Sequence, residues 1–336
     1  FLAAPVKAIT TTLCVSFGAS AGKEGPSAQI GAVIASDIGA LLRVGPDDRK
    51  TLAMSGLAAG FAVVTGAPVA GVLFALEALR MGQPNYSALM PAMVSTLSSV
   101  TMARWMGYWH PLHASFALPA ADGILFLKLG LLALFFGLVA WLYIEAEHIA
   151  AHMFHRIHDL PVRTFVGGIV LVVLALVFSR EYLGLGVEIY EGALMGEPVV
   201  GAAFLLKILF VAVTLGSGFS GGAMTPVFVI GAAAGSAIGG YFGLEPAFVA
   251  ALGIVGVLAG AANTPLAAVA LGTESFGPEF GLYAIIVAGI AYVVSGHRSI
   301  NETQLMGAPK ASWFAVDPRE TCEGEQAAHL QRRLWR

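Results

Sequence analysis

Gly22-Lys23-Glu24-Gly25-Pro26 and Gly221-Gly222-Ala223-Met224-Thr225-Pro226 are two versions of one device. In each, glycines precede a proline, and proline suits the first turn of a helix because its missing N–H would have no partner there. The glycines permit the tight backbone angles that an approach to such a helix start needs. A helix start presents unpaired N–H groups and the positive end of the helix dipole, which together form a ready anion site. In the first copy, Glu24 stands at that place as a tethered anion, able to fill the site or leave it to a free one. In the second copy, the N–H groups of Ala223 and Met224 are predicted to face the anion. Pro26 is predicted to open a helix through Gln29, Ile34 and Ile38.

Working outward, the two devices head two similar halves. Pro26 and Pro226 are 200 residues apart, as are Gly31 and Gly231. Gly66-Ala-Pro-Val-Ala70, followed by an apolar run to Glu77, is answered by Asn263-Thr-Pro-Leu-Ala267 and a run to Glu274; Pro68 to Pro265 and Glu77 to Glu274 both span 197 residues. Landmarks in one order at nearly one offset signal an internal repeat. In membrane transporters such repeats are often inverted, with ion sites at Gly/Pro-interrupted helices near the midplane.

Composition places the chain in a membrane. Of 336 residues, 57% are hydrophobic and 12% charged, about half the usual charged share, and the mean hydropathy is +0.79. Apolar stretches lie at Ile124–Ile144, Phe165–Phe178, Val199–Leu215, Ala247–Ala262 and Leu282–Val294. The first is long enough for a hydrocarbon core of about 30 Å; the others are shorter or broken by glycine, as broken helices lining a cavity would be. A net charge of −3 gives no reason to expect a nucleic-acid partner. Cys14 and Cys322 stand far apart and form no metal or redox spacing.

Residues 1–306 read as one transmembrane domain, with halves of about 1–144 and 164–306, and 307–336 as a polar tail. Two polar linkers are expected: Gly107–Asp122, with Trp109, His110, Pro111 and His113, and Glu145–Arg163 between the halves. Phe1 falls inside an apolar run, so N-terminal helices are expected to be missing. Glu77 and Glu274, ending apolar runs, are expected to tie helix ends, since a carboxylate inside a membrane must find partners. Trp141 and Tyr143 fit an interfacial aromatic belt.

Gly22-Lys-Glu-Gly-Pro26 resembles the Gly-(Arg/Lys)-Glu-Gly-Pro motif of the CLC family of chloride channels and anion/proton antiporters. Gly216-Ser-Gly-Phe-Ser-Gly-Gly-Ala-Met-Thr-Pro226 resembles its Gly-x-Phe-x-Pro region, with Met224 in the phenylalanine place. Ala67-Pro-Val-Ala-Gly-Val-Leu-Phe-Ala-Leu-Glu77 resembles its segment ending in glutamate. The resemblance implies an all-α polytopic fold, an inverted repeat of broken and tilted helices. It also implies a homodimer in the lipid bilayer, multi-pass in a prokaryotic cell membrane, with one path per subunit for chloride or a similar small anion. It casts Glu24 as the gate and Gly22, Lys23, Gly25, Gly222, Ala223, Met224, Thr225 and Asn301 as anion contacts. No cofactor or metal is implied, and no enzymatic activity.

Three departures bear on mechanism. The family's Gly-Ser-Gly-x-Pro loop would precede Phe1. The family's pore tyrosine falls in Ser295-Gly-His-Arg-Ser-Ile-Asn301, where Asn301 can still donate a hydrogen bond. Family exchangers usually carry an inner proton-relaying glutamate directly after the Glu77 place, where this chain has Ala78; the resemblance therefore favours passive flow over proton-coupled exchange. Thr225-Pro-Val-Phe-Val-Ile-Gly231, Ala261-Ala-Asn-Thr-Pro265 and Ser295-Gly-His297 resemble the fluoride-exporting branch. That branch often has glutamate where Ala223 stands and usually lacks Pro26, so chloride is placed ahead of fluoride.

Two other readings compete. Glu145, His148, His152 and His155 share one helical face and could hold zinc or sense pH; a solvated interfacial face is the commoner meaning of such a run. Ser217 and His297 would make a serine hydrolase only if they met within hydrogen-bond reach, and the repeat explains both glycine clusters without catalysis.

Overall fold

The computed structural model describes residues 2–108, 112, 114, 116–301, 303–310 and 321–322. Trp109, His110, Pro111 and His113 of the expected loop, and most of the polar tail, lie outside the described residues. The rest is an all-α polytopic membrane fold. Its helices are α1 Ala3–Ser16, α2 Glu24–Leu41, α3 Pro46–Thr65, α4 Pro68–Glu77, α5 Leu89–Trp105, α6 Gly123–Phe154, α7 Leu160–Val177, α8 Val187–Leu194, α9 Ala203–Gly216, α10 Met224–Gly239, α11 Pro246–Ala262, α12 Pro265–Phe276 and α13 Gly281–Val294. Two-residue strands, β1 Arg80–Met81 and β2 Leu305–Met306, pair in parallel.

The repeat is visible helix by helix. α1 and α9, α2 and α10, and α3 and α11 each start 200 residues apart, and α4 and α12 start 197 apart. Proline is the first residue of α3, α4, α11 and α12, where its fixed φ is already helical. α3 and α11 end on Gly66 and Asn263, both left-handed at φ 71° and 57°; these are the residue types that tolerate that conformation at a helix end. α2 and α10 each begin two residues before their proline, so Pro26 and Pro226 sit inside the first turn rather than at its opening.

The halves are inverted against each other. The Glu77 carboxylate, at the end of α4, accepts the N–H groups of Leu266 (3.2 Å) and Ala267 (2.9 Å) at the start of α12. The Glu274 carboxylate, in the last turn of α12, accepts those of Val69 and Ala70 at the start of α4, both at 2.9 Å. Each helix end thus meets the other's beginning, so α4 and α12 run antiparallel. The anionic side chains also lie at the positive helix ends they favour. Both glutamates tie helix ends as expected.

α4 has ten residues, about 15 Å at 1.5 Å per residue, half of what crossing needs. Among the described residues, only α6, α7 and the α10 segment extended to Phe242 are long and apolar enough to cross alone. Every residue of α11 after Pro246 is buried, so the core lies around α10 and α11. There a Cβ on Gly253 would come within 2.8 Å of the Gly231 carbonyl carbon, and the two backbones touch. The outer surface of α7 (Val172, Val173, Leu176 and Val177) is apolar and exposed, as a surface solvated by lipid tails must be.

One expectation fails here. Glu145–Arg163 is not a linker: α6 continues unbroken to Phe154 and α7 starts at Leu160. The Glu, Ala and His residues after Ile144 are compatible with a helix, and a helix of 32 residues spans about 48 Å, well beyond the hydrocarbon core. Polar residues there mark emergence from the membrane, not the end of the helix.

Candidate anion site

The site lies where α2 and α10 begin. Gly22 and Gly222 exchange backbone hydrogen bonds, Gly22 N–H to Gly222 O at 2.7 Å and Gly222 N–H to Gly22 O at 3.0 Å. This antiparallel bridge sets the two helix starts face to face. Only glycine fits: a Cβ on Gly22 would fall 2.7 Å from the Thr225 backbone nitrogen, and one on Gly222 would fall 3.2 Å from that of Gly25.

Glu24, the first residue of α2, is buried with only 4% of its surface exposed. Its carboxylate accepts the hydroxyl proton of Thr225, the second residue of α10. The same Thr225 oxygen accepts the Lys23 N–H at 3.0 Å, which orients the hydroxyl so that its one proton is free for Glu24. The acid therefore belongs to one half and its donor to the other. The Lys23 side chain points outward and is exposed.

Gly22, Lys23, Gly25, Gly222, Ala223, Met224 and Thr225 are thus brought together around Glu24. Asn301 is not joined to them by any hydrogen bond among the described residues: its N–H goes to the Ser299 hydroxyl at 3.0 Å, while neighbouring Ile300 bonds the Ala261 carbonyl at the end of α11. Ala78 is buried in the core beside Phe74, and its methyl group cannot carry a proton.

Tyr143 departs from the sequence reading. Instead of an interfacial position it is fully buried, with its hydroxyl 3.3 Å from the carbonyl of Ala223; Trp141, two residues earlier, is exposed. An aromatic residue near the end of an apolar run carries the same signal whichever way it faces, so only packing separates the two.

The competing constellations do not assemble. Ser217 turns its hydroxyl back to the carbonyls of Val213 (2.6 Å) and Thr214 (3.2 Å), while His297 Nε2 accepts the Lys310 N–H at 3.3 Å. On the histidine face, Glu145 pairs with Arg298 and His155 with Arg163 at 2.9 Å. Among the described residues, no three His, Cys, Asp or Glu side chains are grouped to hold a metal ion.

Comparison with known proteins agrees with this architecture. A family model described as voltage gated chloride channel matches residues 1–296. A chloride/fluoride channel protein of Pseudomonas syringae pv. tomato is 35% identical over 318 residues, 91% of this chain and 69% of that protein. Among solved structures, a CLC-type fluoride/proton antiporter superposes with a TM-score of 0.86 at 33% identity, covering 89% of this chain and 76% of the other. A slow cyanobacterial Cl−/H+ antiporter, at 21% identity and TM-score 0.75 over 87% and 72% of the two chains, shares the fold.

Proposed function

The chain belongs to the voltage-gated chloride channel (CLC) family, and from that membership we propose that it passes chloride or a similar small anion across the membrane under the control of Glu24. One observation carries the reading: a buried carboxylate, tethered at one helix start, takes a hydrogen bond from the start of the opposing helix. A group in that position competes with a free anion for the same N–H groups and hydroxyl. Protonation or displacement of Glu24 frees them, and the anion path opens. Flow is passive in this reading, because Ala78 stands where the family's exchangers usually keep their inner glutamate.

A second reading, fluoride export, is favoured by the 33% identity to a CLC-type fluoride/proton antiporter over most of its length and by the chloride/fluoride channel relative. Efflux from liposomes carrying the full-length protein, with chloride compared with fluoride and internal pH recorded, separates the two. Chloride flux without proton movement supports the first. A fluoride rate at least tenfold above chloride, or protons moving in fixed ratio to the anion, replaces it with the second.

A further inference from the structure

A groove of about 270 Å3 opens on the flank of α7. Its walls come from three places in the fold: Leu171 and Leu176 on α7, Phe17 just after α1, and Phe219 beyond the end of α9. Leu183 completes the apolar lining, and Arg180 is the one charged residue among the described residues that line it. Phe17 and Leu176 are 88% and 72% exposed, whereas Leu171 is buried. Exposed walls over a buried floor make an opening toward the bilayer and not toward the core.

The groove has the depth of one leaflet. Gly168, the first α7 residue to line it, stands midway along the helix. From there to Val177, where α7 ends, is about 14 Å at 1.5 Å per residue, half of a hydrocarbon core of about 30 Å. Arg180 follows in the short turn Arg180–Tyr182, which puts it at the level of lipid headgroups. Among the described residues, no side chain pairs with its guanidinium. Its neighbour Glu181 lines a different cleft, together with Glu188 and Glu197, so the groove keeps its positive charge. At the other end the space is open: a Cβ on Gly168 would meet only the Phe219 ring, at 3.7 Å.

We propose that this groove holds one phospholipid of net negative charge, with its phosphate on Arg180 and an acyl chain laid along α7 as far as Gly168. A guanidinium meets a phosphate through two parallel N–H bonds, and basic pockets at a membrane surface recognise anionic lipids in this way. The tail in the groove has protein atoms on several sides, and gains more dispersion contact than it would on a single helix face. A choline or ethanolamine headgroup brings its own cation beside Arg180 and is disfavoured; a glycerol headgroup brings none. Free phosphate could use the guanidinium, but it would leave the apolar walls unused.

The test is photolabelling of the reconstituted full-length protein by phosphatidylglycerol carrying a diazirine midway along one acyl chain, with labelled residues read by mass spectrometry. Labels are expected on Leu171, Leu176 and Phe219. Unlabelled phosphatidylglycerol should compete for them better than phosphatidylcholine by roughly fivefold, the worth of one basic residue at a membrane surface. Arg180→Gln should lower labelling there by about the same factor, while Val173, exposed on α7 outside the groove, is labelled as before. Gly168→Leu fills the groove and leaves Arg180 in place; it should do the same, and it carries the test if Arg180→Gln does not assemble. Equal competition by the two lipids, or undiminished labelling in both variants, overturns the proposal. So does a groove without label beside a labelled Val173, which means that a protein segment covers it. Suppression by inorganic phosphate as strong as that by phosphatidylglycerol also overturns it, in favour of a soluble anion at Arg180.

Discussion

Glu77 and Ala267, 190 residues apart, are joined at 2.9 Å by a carboxylate-to-backbone hydrogen bond, and Glu274 and Ala70 repeat it with the halves exchanged. These bonds close the ends of α4 and α12 on each other inside the membrane. Each glutamate accepts two N–H groups, and hydrogen bonds to a charged group are worth about 1.5–3 kcal/mol apiece. Glu77→Ala is therefore expected to lower stability by about 3 kcal/mol and Glu274→Ala by a similar amount, read as loss of monodisperse protein on heating in detergent. Neither bond touches Glu24, so the acid response of the surviving protein should be unchanged.

Glu24→Gln and Glu24→Ala should both give an ungated path. Glutamine cannot ionise and alanine leaves the helix start open, so each is expected to raise anion flux at neutral pH and flatten its pH dependence. Liposome efflux measured as a function of pH checks this; unchanged flux with unchanged pH response refutes it.

Thr225→Val keeps the shape of the side chain and removes the hydroxyl that holds Glu24. Losing one bond of about 1.5 kcal/mol to a carboxylate corresponds to roughly tenfold in the equilibrium between held and released Glu24. Flux at neutral pH should rise by about that factor, while Thr225→Ser should stay near wild type. Single-protein efflux rates give the comparison directly.

Gly222→Ala tests the close approach of the halves. Its Cβ would fall 3.2 Å from Gly25 N and nearer still to the Pro26 ring. Overpacking of this kind costs about 1–3 kcal/mol and would push the two helix starts apart. Reduced flux together with a lower melting temperature is expected; wild-type values for both would mean that the bridge tolerates separation.

Much of this was legible because it is written locally. Proline and glycine act within one or two residues of themselves, so Pro26 and Pro226, like Pro68 and Pro265, stand in the first turns of helices, and their offsets betray the repeat before any packing is known. The place of Glu24 at a helix start is legible for the same reason. What lay beyond the sequence was which way side chains face in helices apolar all round. Tyr143 carries the signal of an interfacial residue and is buried against Ala223 instead. The Glu145–His155 stretch looks like a linker because polarity rises there, yet it is helix beyond the bilayer. Thr225 was expected to meet an anion, and the anion it holds is Glu24 itself, a pairing across 201 residues that no local pattern reports.

The mutual bonds of Gly22 and Gly222 read the same from either partner, as contacts between identical molecules across a symmetry axis do. Here the two partners are corresponding positions of the two halves, so the bridge is the point at which the inverted halves meet on equal terms. The halves differ beside it, for the place that holds the acid Glu24 in one holds Met224 in the other.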